Sequence, residues 1–257
     1  MSEITLFQFA FCGTPRDFAR ALNHLALIAE YEKWSFDGRP NSLLSKYIHG
    51  TFKQCYAQNK ILYSEKDGDI YACFNTGLMT DNGQDIVALF EKNERECAQE
   101  WRLIGFKDKS SRLYVSIFGD ETPEIATYIE NYEQLYFDPD SPIVINSDHI
   151  LDDNWERIKA VVPLSKSVMK HLLSGVIDDA KKKVRRNMRL VIPQFYNNKV
   201  MYLLPIQFPV DEDKTETMAL AIELTDNKLY RANTIFTKEM AYEKARLLMK
   251  PESNWLI

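Results

Sequence analysis

The stretch "SDHILDDNWERIKAVVP" brings an imidazole, an amide and a guanidinium close together: His149, Asn154 and Arg157. A histidine exchanges protons near neutral pH. An arginine grips a carboxylate or phosphate through paired N–H donors. Together they suit work on a phosphate ester. The competing reading makes Asp148 and Asn154 turn residues and Arg157 half of a structural ion pair. A second polar group, Asn75-Thr76-Gly77-Leu78, ends the strand-like run "YACFN". Asn75 carries both donor and acceptor, and Gly77 permits positive φ or close approach of a ligand to the backbone. The group either turns the chain or lines a site.

A third candidate is the basic run Lys181, Lys182, Lys183, Arg185, Arg186 and Arg189. The apolar face of its helix reads Val168, Leu172, Val176, Ala180 and Val184, with Leu173 and Ile177 beside them. Continuing that register puts Asn187 on the inner face and Arg186 at its edge, both available to a phosphate. The plainer reading is a solvated helix end whose charge complements the helix dipole. Tyr202 is expected beside Asn187 on one wall of a cleft. Asn75, Thr76 and Gly77 would form another wall, and His149, Asn154 and Arg157 a third. Tyr242 and Arg246 lie four apart on the last helix, where Arg246 reaches the same cleft or ties the helix to the sheet. His24 and His49 fall inside helical patterns and read as structural. His171 points away from the apolar face of its helix.

Several chemistries find no footing. There is no phosphate-binding glycine loop, dinucleotide fingerprint, zinc-protease helix or nucleophile elbow. The acidic pairs Asp152-Asp153 and Asp178-Asp179, and the run Asp211-Glu212-Asp213, read as caps and turns. Cys12, Cys55, Cys73 and Cys97 form no C-x-x-C pair and have no histidine at ligand spacing. No metal, disulfide or cofactor is therefore expected. A net charge of -5 excludes a uniformly basic coat but leaves room for a local basic groove. The first residues carry Glu3 and no basic start, and no apolar run approaches about 20 residues. Neither a signal peptide nor a membrane span is expected, and the compartment expected is cytoplasmic. Nothing in the sequence fixes an oligomeric state.

The elements that must position these residues read as α+β: largely antiparallel sheet with helices packed on it. Thr14-Pro15 opens a first helix, stopped by Asp37-Gly38-Arg39-Pro40, and Asn41 or Ser42 opens a second. "KILYSE" and "DIYACFN" form a hairpin across Lys66-Asp67-Gly68. "DIVALFEKN", "EWRLIGFKD" and "RLYVSIFG" read as strands, and "PEIATYIENY" as a helix. The stretch from Leu135 to Pro163 reads as a long ordered connection. A helix follows over "SKSVMKHLLSGVIDDAKKKVRRN". A four-strand meander turns at Asn197-Asn198 and Asp226-Asn227, and a final helix is capped by Thr237 and stopped by Pro251. No repeat is visible in the sequence. The expectation is one continuous domain over 1–257, with a possible division into 1–150 and 151–257.

Four segments taken together resemble the domain-of-unknown-function family numbered 3825. They are "CFNTGLMT", "HILDDNWERI", "VIPQFYNNKVMYLLPIQF" and "YRANTIFTKEMAYEKARLLMKPESNWL". Members of that family occur in bacteria and fungi, some in chains that also carry small RNA-binding modules, so the resemblance implies an RNA-linked role. No such module is expected beside the domain, so contact with RNA would fall to the domain itself. The expected function is metal-independent hydrolysis of a phosphate-containing substrate, RNA or a nucleotide. His149 would serve as acid or base, Arg157 and Arg186 would hold phosphate charge, and Asn75 and Asn187 would orient the substrate. The alternative is a non-catalytic RNA-binding or regulatory module.

Overall fold

Residues 4–36, 38–95 and 98–256 are described by the structure, a computed structural model; Glu3, Asp37 and Cys97, named above, lie outside them. The chain resolves into two compact units, Met1–Thr127 and Tyr128–Ile257.

The first unit runs α1 (Leu6–Phe9), β1 (Ala10–Phe11), α2 (Pro15–Ile28), α3 (Ser42–Ala57), β2 (Leu62–Lys66), β3 (Asp69–Met79), β4 (Asp85–Lys92), β5 (Trp101–Asp108) and α4 (Arg112–Phe118). Local chemistry sets several of these ends. The Thr14 hydroxyl accepts from the Asp17 amide while the Asp17 side chain accepts from the Thr14 amide, with Pro15 in the first turn. Asn41 precedes α3 in the left-handed region at φ 54° and makes no side-chain cap bond. Asp67 and Gly68, at φ 55° and 89°, close the β2–β3 hairpin. The five strands lie in the order β1-β5-β4-β3-β2, antiparallel except for β1 beside β5. One face buries Phe9, Phe52, Phe74 and Phe90 as a connected set of rings. On the other, Tyr114, Ile117 and Phe118 of α4 pack over Cys73, Val87 and Leu89.

Three expectations fail here. The first helix does not run on to the Gly38-Arg39-Pro40 stop: α2 ends at Ile28, and Ala29 leaves it in extended geometry at φ -80°. "RLYVSIFG" is not a strand. Ser111 caps it as α4, and burial follows Tyr114, Ile117 and Phe118, three and four apart, while Leu113 and Val115 stay exposed. "PEIATYIENY" forms no helix over 123–130.

The second unit repeats the plan. It runs β6 (Ile143–Val144), α5 (Ser147–Val161), α6 (Lys166–Arg186), β7 (Ile192–Tyr196), β8 (Lys199–Asp211), β9 (Lys214–Leu224), β10 (Tyr230–Phe236) and α7 (Lys238–Arg246). The strand order is β6-β10-β9-β8-β7, with β6 parallel to β10 and the others antiparallel. A short strand, two helices, a four-strand meander and a closing helix thus occur in both units, although no sequence repeat announces them. The expected meander between two helices is present, with Asn197 and Asn198 at φ 50° and 58° in its first turn and Thr237 capping α7. The long connection is corrected. Asn146 accepts from the His149 amide and starts α5 inside it. Helices α5 and α6 bury Ile150, Ile158, Leu173, Ile177 and Val184 against Tyr202, Leu204, Leu220 and Ile222. No helix among the described residues is long and apolar enough to cross a membrane.

Candidate functional site

Asn75, Thr76 and Gly77 sit at a bulge. Asn75 pairs with Val87 and Leu78 with the preceding Ile86, so Thr76 and Gly77 are extra residues on β3. Each side-chain polar group of the bulge has a partner. The Asn75 carbonyl oxygen accepts from the Gly77 amide at 2.9 Å, and its amide donates to Pro123 O at 3.2 Å. The Thr76 hydroxyl donates to Ile86 O at 2.6 Å and accepts from the Leu78 amide at 3.2 Å. Thr76 O accepts from the Tyr47 hydroxyl at 2.9 Å. Asn75 and Thr76 are fully buried. Gly77 holds φ 72°. These residues bind, and what they hold is the chain itself.

On α5 the three candidates take three different environments. His149 is exposed in the first turn, its Nε2 3.4 Å from Asp153 Oδ2. Asn154 is buried; its amide donates to Ile150 O at 2.6 Å and its carbonyl oxygen accepts from the Thr234 hydroxyl at 2.7 Å. Thr234 stands next to Asn233, the extra residue of a bulge in β10, so Asn154 ties α5 to that bulge. Arg157 is half-buried, with its guanidinium 3.8 Å from Met240 Sδ and 5.9 Å from the centre of the Phe236 ring. Eight residues separate His149 from Arg157, which places their Cα atoms about 12 Å apart along the axis.

The end of α6 departs from its expected register. The helix stops at Arg186. Asn187 leaves it in extended geometry at φ -150°, accepting from the Arg189 amide through its side chain and starting a short 3-10 turn over Met188–Leu190. Asn187 is therefore exposed rather than inward-facing, and so is Arg186, whose guanidinium donates back to Lys182 O at 2.8 Å. Around them Lys182 pairs with Asp179 at 3.2 Å and Arg185 with Asp140 at 2.6 Å, while Lys181 donates to Ser141 O at 2.8 Å. Arg189 is exposed and makes no side-chain ion pair among the described residues. It was legible only as part of a like-charge run, because the helix end that presents it lies beyond the apolar periodicity.

Tyr202 is buried against Phe137 and Tyr230. Its single hydroxyl hydrogen is shared between Gln134 O at 2.8 Å and Tyr136 O at 3.0 Å. Burial raises its pKa, which keeps it a protonated donor. Its two bonds fix a segment whose rings Tyr132 and Tyr136 remain 81% and 65% exposed. Arg246 and Tyr242 are both buried on α7. No group of three or more histidine, cysteine or acidic side chains that could hold a metal ion occurs among the described residues. Among the unit-2 candidates, Asn154 and Tyr202 are buried and join elements, His149 and Arg157 reach solvent on α5, and Arg186 and Asn187 are exposed at the end of α6.

No curated protein and no solved structure matches the chain. A family model, described as a domain of unknown function (DUF3825), matches residues 25–255. That match takes in both units and the segments that carried the resemblance, and the chain belongs to the DUF3825 family.

Proposed function

We propose that this protein is a binding module for RNA or a nucleotide, which it takes by phosphate contacts at the C-terminal end of α6. The observation that carries this reading is the pair Arg186 and Arg189. Both are exposed and neither has a carboxylate partner among the described residues. They finish a run from Lys181 to Arg189 that holds six cations and no acid, in a chain of net charge -5. The neighbouring exposed pairs, Lys182–Asp179 and Arg185–Asp140, are of a kind worth about 0–1 kcal/mol. A phosphate can replace those carboxylates at little cost. The Tyr132 and Tyr136 rings add stacking surface, on a segment whose Asp140 is held by Arg185. Cations beside exposed rings are the combination that takes single-stranded nucleic acid. The family resemblance, with its implied RNA link, agrees.

The test is fluorescence anisotropy with short single-stranded RNAs over a series of salt concentrations. Each phosphate neutralised contributes a slope of about 0.7 in log affinity against log salt. Arg186→Glu with Arg189→Glu is expected to weaken binding and flatten that slope by about 1.4, two phosphates' worth. An unchanged affinity and slope would remove this surface from the reading.

One observation favours hydrolysis as a second reading. The exposed His149–Asp153 pair has the form of an acid–base histidine beside an orienting carboxylate. Arg157, which makes no ion pair among the described residues, is a cation available for phosphate charge. Turnover of RNA or nucleotide in the presence of chelator, lost in His149→Ala, would select it.

A further inference from the structure

Residues 121–127, which follow α4, belong to no helix or strand, and their alternate carbonyls are caught by side chains. Glu121 O accepts from the Tyr114 hydroxyl at 2.7 Å, and Pro123 O from the Asn75 amide at 3.2 Å. Ile125 O accepts from Lys60 Nζ at 2.8 Å. Thr127 O accepts from Gln54 at 3.0 Å and from Gln58 at 2.5 Å, and Gln58 returns the contact by accepting from the Thr127 amide at 2.9 Å. Acceptors two residues apart, at 121, 123, 125 and 127, follow the spacing by which an extended chain presents one side. A β-sheet would meet such a row with the main chain of a neighbouring strand. Here the donors come from α3, from Gln58 and Lys60 just beyond it, from the β3 bulge and from α4.

The donors themselves are built in. Asn75 and Tyr114 are 1% exposed, and the Lys60 side chain is 15% exposed. Burial raises the Tyr114 pKa, so its hydroxyl stays a donor. Pro123 is the buried side chain of the segment, whereas Glu121, Glu124, Ile125 and Thr127 are exposed. Most of the binding thus reads main chain. A few side-chain contacts add to it: Lys60 to the Thr127 hydroxyl at 2.7 Å and to Glu124 at 3.5 Å, and Lys109 to the Thr122 hydroxyl at 3.5 Å.

We infer that this row of donors is a binding site for an extended peptide, filled in this chain by its own residues 121–127 acting as a releasable strap. A partner that fits is a polypeptide able to lie extended, with proline at the second of the four carbonyl positions and a small polar residue at the fourth. The inference rests on the first unit alone and is independent of the phosphate reading. A tethered strap acts at high effective concentration, so an untethered peptide gains access only when the strap is weakened.

The experiment weakens the strap and leaves every donor in place. Full-length protein carrying Pro123→Gly and Thr127→Ala is titrated into a fluorescein-labelled peptide of sequence GDETPEIAT, that of residues 119–127. Hydrogen exchange over 121–127 is followed in the same samples. The expected result is faster exchange throughout the strap and peptide affinity at least about 10-fold above wild type. Adding Lys60→Ala, which deletes the donor to Ile125 O, is expected to abolish the gain, and the melting curve of that variant verifies that it is folded. Equal affinity for wild type and variant, affinity that survives Lys60→Ala, a strap that exchanges fast yet admits no peptide, or a strap that stays protected would each overturn the inference.

Discussion

The Tyr47 hydroxyl and Gly77 stand in contact: the hydroxyl donates to Thr76 O at 2.9 Å and lies 2.8 Å from where a Cβ on Gly77 would sit. Gly77 also holds φ 72°. Gly77→Ala therefore meets a steric and a conformational penalty together, and is expected to cost about 1–3 kcal/mol in urea unfolding. In a Tyr47→Phe background the clash is gone and only the positive φ remains, so the same substitution should cost less. Equal costs in both backgrounds would mean that the hydroxyl plays no part.

Asn154 and Thr234 make a second pair that unfolding can measure. Asn154→Leu keeps the branched shape but leaves the part-buried hydroxyl of Thr234 without its acceptor. The expected loss is about 1–3 kcal/mol. Adding Thr234→Val removes the orphaned group and should recover part of it, since two apolar partners cost less than one unmatched polar one. A residue that served substrate instead would show additive stability effects and a loss of ligand affinity in the folded protein.

Val184 and His149 separate damage to the fold from damage to function. Val184 is completely buried on α6, and Val184→Ala should cost about 1–3 kcal/mol through lost burial and a residual cavity. His149 is exposed, and His149→Ala should leave the melting temperature unchanged. Under the binding-module reading RNA affinity also survives His149→Ala. A fall of about 100-fold in a measured turnover would instead mark proton transfer.

Glu223 gives the acid limb a defined cause. Its side chain is 16% exposed and bonded to Lys199 and to Arg231, each at 3.0 Å. The Lys199 hydrogen bond leads in lowering its pKa below the ordinary 4.5, with Asn233 and Arg231 adding to it against the opposing effect of burial. A depressed carboxylate contributes stability above its unfolded pKa and loses it as pH falls through the lower folded value. Glu223→Gln should therefore reduce stability at neutral pH and flatten the decline below about pH 4.5, read by urea midpoints at several pH values. An unaltered acid limb would assign the loss to other carboxylates.

What the sequence by itself determined is local chemistry. Thr14-Pro15, Asp67-Gly68, Asn197-Asn198 and Thr237 act on residues within one turn, and each stands where it was expected. The helical spacing of Ile150, Leu151, Asn154 and Ile158 was also present in the sequence, but the Asp and Asn density around it read as loop. In "RLYVSIFG", Leu113, Val115 and Ile117 alternate like a strand while Tyr114, Ile117 and Phe118 space like a helix. Only the sheet face carrying Cys73, Val87 and Leu89 chose between them. Asn187 looked inward because periodicity carries no mark of where a helix ends. Asn75 is the plainest case. Its type promised a donor and an acceptor, but their partners, Gly77 and Pro123, were fixed by a bulge and by a segment 48 positions away. Hydrogen-bond capacity is written in the residue; its direction is set by main chain that arrives from elsewhere, so the tertiary structure alone decided what Asn75 holds.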